Sequence, residues 1–273
     1  MNWMNLPEEY RKGKFAILPI AYEKDVTYGK GTSKGPEEII AASKHLEYYD
    51  CELNCEPFIE GISLLDSVTG NTAEEMIDNV SNVISKNKNK FVISLGGDHS
   101  VTIGTVKGME EVHDDFSVIV LDAHSDLRDS WNGSSLNHAC VSKQISKKHS
   151  LALIGVRAMD VDEMKFVKSN GDVHLIQSYN YSLDKVKEIL PKLKDKIYIS
   201  IDVDVFDLSF IRNTGTPEPG GFTWNQVIEI LELIFSCKEV IGADVVEFAP
   251  VDNFRSEAYS LAKLVYKLMG LKF

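Results

Sequence analysis

Four cysteines, Cys51, Cys55, Cys140 and Cys237, are too few to staple a 273-residue chain with disulfides. Cys51 and Cys55 lack a second pair that would complete a zinc site, so all four read as plain thiols. No apolar run approaches the length needed to cross a bilayer. The first segment, residues 1–14, lacks the apolar core of a signal peptide, so a cytoplasmic protein is expected. Basic residues are in deficit, 29 against 41 acidic, for a formal charge of -12. That balance argues against nucleic acid or an anionic membrane as partner and suits a cationic small molecule. There is no internal repeat, low-complexity tract or linker, so residues 1–273 are read as one domain.

What is present is a series of short, continuously apolar runs: 15–20, 91–95, 117–121, 151–154, 197–201 and 239–246. Such runs suit strands buried on both faces. Between them lie helical spacings. Pro36 marks a helix start ahead of Ile39, Ile40 and Leu46. Met76, Val80, Val83 and Ile84 form a stripe, as do Val186, Ile189, Leu190 and Leu193. Val227, Ile230, Leu231 and Ile234 form another, and a last helix runs from Glu257 to Leu271. Strands alternating with helices predict a three-layer α/β/α fold around a mostly parallel sheet.

In such sheets ligands bind at the carboxyl ends of the strands. Three polar clusters fall there: Gly96-Gly97-Asp98-His99-Ser100, Asp122-Ala123-His124-Ser125-Asp126, and Asp202-Val203-Asp204 with Asp207 beyond. Residues two apart on an extended segment share a side, so Asp122, His124 and Asp126 can point at one place, as can Asp202 and Asp204. Acids gathered this way repel one another unless a cation joins them. Four aspartates and two histidines without cysteine form a hard donor set that favours manganese over magnesium or a thiolate-type zinc. Six side chains exceed the needs of one ion, so two ions sharing carboxylates fit better. Their +4 balances the four aspartates, and a water between them would ionise near neutrality and act as nucleophile.

With these motifs the sequence resembles the ureohydrolases, the arginase–agmatinase family of manganese amidinohydrolases. Further points of likeness are Gly215-Thr-Pro-Glu-Pro-Gly-Gly221, Asp244-Val-Val-Glu-Phe-Ala-Pro250 and the Lys30–Pro36 segment. The resemblance implies an arginase-like fold and a homo-oligomer, commonly a trimer or hexamer. It implies that His99, Asp122, Asp126 and Asp202 surround one manganese, and Asp122, His124, Asp202 and Asp204 the other. It also implies that Glu247 grips the guanidinium, a planar cation well matched to a carboxylate's two oxygens. His138 would shuttle protons or position substrate, and Asp126 would pass a proton to the departing amine. The pair Gly96-Gly97 is read as a tight turn bringing His99 inward. One departure is Leu208, where the family usually has proline.

The loop 127–138 is expected to meet the substrate's far end. Asp126–Asp129 and Asn137–Cys140 resemble the agmatinase branch, so agmatine, giving putrescine and urea, is the expected substrate. Asn132, Ser134 and Ser135 would suit a carboxylate, which keeps arginine and guanidinobutyrate as alternatives. The role of Arg128, at the site or in a subunit contact, is open. Two readings of other classes are a non-catalytic relative that kept the metals and a single-zinc deacetylase. Loss of a ligand or of Glu247 would mark the first, and fewer carboxylates the second. Neither is seen.

Overall fold

A computed structural model describes residues 2–273. Eight strands lie among them: β1 Phe15–Ile20, β2 Ile62–Leu64, β3 Phe91–Gly96, β4 Ser117–Leu121, β5 Leu151–Val156, β6 Val173–Gln177, β7 Lys196–Asp202 and β8 Glu239–Val246. They form one sheet in the order β2-β1-β3-β8-β7-β4-β5-β6. Every strand pair is parallel, so the expected mostly parallel sheet is wholly so.

The α-helices are α1 Gly35–Ser43, α2 Ala73–Lys86, α3 Val101–Glu110, α4 Val141–Ile145, α5 Val161–Ser169, α6 Leu183–Ile189, α7 Trp224–Cys237 and α8 Ser256–Lys272. They cover both faces of the sheet. Alternate residues of β1 show why its sequence is apolar throughout. Phe15 and Ile17 enter the core under α1, α6, α7 and α8, while Ala16, Leu18 and Ile20 enter the one under α2, α3 and α4. Burial of both faces removes the polar alternation of a half-exposed strand.

The six apolar runs are strands, some a residue or two longer than expected. The two edge strands, β2 and β6, were not anticipated. β2 has three residues, and β6 reads Val-His-Leu-Ile-Gln with half-buried positions, so neither carries a continuous apolar signal. Two helical stripes overran their helices. Leu46 is buried beyond the end of α1, and α6 gives way to a tighter turn over Leu190–Lys192, where Pro191 supplies no N–H.

Candidate metal centre

The four central strands β3, β8, β7 and β4 are neighbours, and their carboxyl ends carry the expected polar residues. His99 follows β3, Glu247 follows β8, Asp202 ends β7 with Asp204 just beyond, and Asp122 to Asp126 follow β4. A parallel sheet brings these ends together from segments more than a hundred residues apart.

His99 is buried, and its Nδ1 lies 3.1 Å from Asp122 Oδ2, 3.2 Å from Asp126 Oδ2 and 3.3 Å from Asp202 Oδ2. One ring nitrogen cannot satisfy three carboxylates. Both His99 Nδ1 and Asp122 Oδ2 are in fact buried without a hydrogen-bond partner. The far side of the ring explains which nitrogen is free. The Ser200 hydroxyl donates to Asp244 Oδ1 at 2.6 Å, so His99 Nε2, 3.0 Å from that hydroxyl, must be the donor. Nδ1 then carries a lone pair facing anionic oxygens, an arrangement that calls for a cation between them. The same demand raises the proton affinity of His99: burial opposes a charge there, and Asp122, Asp126 and Asp202 outweigh it.

His124 Nδ1 lies 2.9 Å from Asp204 Oδ2 and 3.7 Å from Asp122 Oδ1. Donor atoms gather into two groups with metal-ligand spacing, His99–Asp122–Asp126 and Asp122–His124–Asp204. Asp122 belongs to both, as a bridging carboxylate must. Asp202 belongs to neither group, although its Oδ2 faces His99 and its Oδ1 accepts from the Asp204 amide at 2.9 Å. No cysteine joins a metal-binding group among the described residues, and all four are free. Hard oxygen and imidazole donors, an orphaned pair and a shared carboxylate fit two divalent ions.

Two residues of the site have a strained backbone. Asp126 and Glu247 take left-handed φ angles of 50° and 67°, which a side chain adopts at a cost of about 1–3 kcal/mol. Glu247 is held in that posture at both ends of the residue. Its amide donates to Gly97 O at 2.8 Å, and its Oε1 accepts from the His99 amide at 2.8 Å. A Cβ on Gly215 would stand 2.9 Å from Glu247 Oε2. Burial, then the charge of Asp98, pushes the Glu247 carboxyl well up, so an ionised Glu247 needs a cation beside it. Gly97 has a different reason from the one expected. Its φ is not left-handed; a Cβ there would sit 1.8 Å from Tyr22 O, so glycine is required by close approach of the chain leaving β1.

His138 opens a short 3-10 turn and lines the same cavity, with Nε2 2.9 Å from the Thr27 hydroxyl. Burial, together with the charges of His99 and His124, pushes it down to about 4, so it stands there as a neutral imidazole. The cavity is about 370 Å³, of small-molecule size. Arg128 faces it, with Nη1 2.8 Å from Asp160 Oδ2 and its guanidinium 4.9 Å from the Trp131 ring. Asn132, Ser134 and Ser135 do not line it: Trp131 pairs with Ser134 across a tight turn, leaving Asn132 and Gly133 at its tip and Ser135 just beyond. Leu208 lies in a turn closed by the Phe210 and Ile211 amides on Asp207 O, and no metal-binding group includes it.

Four site residues escaped the sequence reading. Ser200 lies in the 197–201 run and Asp244 in a quoted motif, and only the fold reveals that Ser200 faces His99 and that Asp244 backs Ser200. Buried Glu163 accepts from the Ser125 hydroxyl at 2.8 Å and the Leu127 amide at 2.9 Å, and so holds the Asp122–Asp126 loop. Its signal was the Asp160-x-x-Glu163 capping box at the start of α5. Arg157 had no signal.

Comparison with known proteins agrees with this geometry. The family described as the Arginase family matches residues 13–270. The chain is 36% identical over 272 residues to the N(1)-aminopropylagmatine ureohydrolase of Thermus thermophilus, covering 96% of this chain and 92% of that protein. It is 33% identical to the agmatinase of Pyrococcus horikoshii, covering 98% and 95%. The crystal structure of the agmatine ureohydrolase of Thermoplasma volcanium superposes with a TM-score of 0.87 at 28% identity, covering 96% of this chain and 91% of that one.

Proposed function

The chain belongs to the arginase family and is a hydrolase of guanidino compounds, and we propose that its substrate is agmatine or an N-substituted agmatine. The products would be urea and the corresponding amine. The proposal extends to two manganese ions per chain, held by His99, Asp122, Asp126 and Asp202 and by Asp122, His124, Asp202 and Asp204. The observation that carries it is the sharing of Asp122 between two donor groups, with Asp122 Oδ2 and His99 Nδ1 buried without a hydrogen-bond partner. When bound, the two ions supply Lewis acidity and lower the pKa of water at the site.

The chain's own residues do the rest. Glu247 presents Oε2 to the guanidinium while the His99 amide fixes Oε1. A buried carboxylate there is a strong match for the two parallel N–H groups of a guanidinium. His138, neutral and anchored on Thr27, orients the substrate or relays its proton through the imidazole. Asp126, whose Oδ2 lies 3.2 Å from His99 Nδ1 inside the site, would pass a proton to the departing amine. The fixed backbone of Asp126 and Glu247 keeps both groups aimed before substrate arrives.

A cationic tail is favoured over a carboxylate one. Arg128 is the sole arginine or lysine among the cavity-lining residues, and Asp160 already neutralises it. That leaves no free cation for arginine or guanidinobutyrate. Agmatine and N(1)-aminopropylagmatine are the substrates in the names of the relatives, and both carry ammonium tails. Assembly as a trimer or hexamer and a cytoplasmic location complete the proposal. Free thiols suit a reducing compartment, and no described helix is long and apolar enough to cross a membrane.

A urea-release assay with manganese tests the reading on agmatine, N(1)-aminopropylagmatine, arginine and guanidinobutyrate. Urea from the first two, much faster than from the others, is expected. Urea from arginine alone would move the chain to another branch, and urea from none would refute the substrate class.

A further inference from the structure

Within that functional reading, on which this rests, one carboxylate of the cavity has no assigned work. Glu218 is half-buried and lines the cavity, yet its carboxylate makes no hydrogen bond or ion pair among the described residues. The other acids around it are engaged: Asp160 with Arg128 and the start of α5, Glu163 with the metal loop, Glu247 with His99.

The loop that carries Glu218 is unusually well anchored. At its start Gly215 abuts Glu247, and its carbonyl accepts from the Gly29 amide at 2.8 Å. At its end the Gly220 and Gly221 amides donate to Asp207 Oδ2 at 3.1 and 3.2 Å. Pro217 and Pro219 flank Glu218 and restrict its backbone further. Arg157 ties the middle down. Its Nη2 donates to Glu218 O at 2.9 Å and to Asp204 O at 2.6 Å, its Nε to Pro219 O at 3.0 Å, and its Nη1 to Gly155 O at 3.1 Å. No carboxylate pairs with this guanidinium among the described residues; it is spent on main-chain carbonyls of three separate segments.

We propose that Glu218 is the specificity residue that reads the ammonium on the substrate's tail, and that Arg157 is the positioning residue that holds it there. Reach supports the assignment. Glu218 is three residues from Gly215, which touches the guanidinium acid Glu247, and three residues span at most about 10 Å. A four-methylene tail, with bonds of about 1.5 Å, covers a comparable distance. A free carboxylate on a rigid loop is preorganised, so it loses little conformational freedom on binding. Its charge would discriminate between tails that carry an ammonium and tails of the same length that do not.

The test compares agmatine with 1-butylguanidine, which has the same chain without the terminal amine. Both urea release and calorimetric binding are measured on manganese-loaded protein. The wild-type protein is expected to favour agmatine, and Glu218→Gln to shrink that preference by a factor of roughly 10 to 100, the effect of one charge-assisted hydrogen bond. The change should fall on KM more than on kcat. Glu218→Asp should keep more of the preference than the glutamine variant. Arg157→Lys, unable to bridge three segments, should erode the same ratio. A preference unchanged in Glu218→Gln, or an equal loss for both guanidines, would overturn the assignment. Binding that follows the tail charge without urea release would uphold it while refuting the hydrolase reading.

Discussion

His99 donates from Nε2 to the Ser200 hydroxyl at 3.0 Å, and this contact decides which face of the imidazole meets the metal site. The Ser200 hydroxyl in turn donates to Asp244, which also accepts from Tyr198 at 2.8 Å and Thr105 at 3.1 Å. A buried chain of hydroxyls and one carboxylate thus fixes the ring and its tautomer. Ser200→Ala is expected to weaken manganese binding by roughly 10- to 100-fold while the protein stays folded. Metal titration followed by circular dichroism reads both quantities, and unaltered affinity would show that the relay has no such role.

Gly97 is fixed by contact with the strand exit of β1. Gly97→Ala would drive a methyl group into Tyr22 O, 1.8 Å from the ideal Cβ position. The backbone must shift, and with it both the amide of His99 and the carbonyl that holds Glu247. A stability loss of about 1–3 kcal/mol is expected, with loss of urea release beyond what the fall in Tm explains. Chemical denaturation and the urea assay at a temperature where the variant is folded would check this.

The fold and the convergence of the candidate metal-binding residues were legible for a shared reason. A sheet covered on both faces writes its central strands as continuous apolar runs, and the candidate donor residues follow directly at their carboxyl ends. β2 and β6 were not legible because an edge strand needs neither length nor full burial. Asp126 and Glu247 could be named, but not their left-handed backbone, which comes with contacts from other segments: Gly97 and Gly215 at Glu247, and the Lys143 amide at Asp126. Arg157 illustrates the limit: its partners are carbonyls, which every residue has, so no pattern of side chains announces it.

Far from the cavity, Lys267 Nζ lies 2.7 Å from Asp50 Oδ1 and both side chains are buried. Burial alone would raise the Asp50 carboxyl, but the Lys267 hydrogen bond, the Leu53 amide and the charge of Lys263 hold it below its ordinary value. Burial likewise opposes the charge on Lys267, and Asp50 and Glu52 raise it above its ordinary value. The carboxylate therefore adds stability above the unfolded pKa of about 3.9, lost as pH falls through the lower folded value. The ammonium adds stability in full below about 10.4, lost as pH rises through the higher folded value. Lys267→Met should cost about 3–5 kcal/mol at neutral pH by stranding Asp50, and the deficit should shrink in strong acid. Denaturant titrations across pH measure it; a deficit independent of pH would contradict the pairing.

Glu247→Gln is expected to lower kcat/KM for agmatine by at least about 100-fold, because the guanidinium loses a charged, two-point partner. The bound manganese should not change, since Glu247 belongs to neither donor group. Kinetics and elemental analysis on the same preparation separate the two effects. A variant that loses metal instead would reassign Glu247 from substrate to ligand.

The central claim is a pair of metal ions sharing Asp122. Elemental analysis of manganese-reconstituted protein tests it most directly, on the wild-type chain, His124→Ala and Asp122→Ala. The account predicts two ions per chain, then one, then fewer than one, since His124 serves one donor group and Asp122 serves both. One ion per chain in the wild-type protein, or two retained in Asp122→Ala, would contradict it.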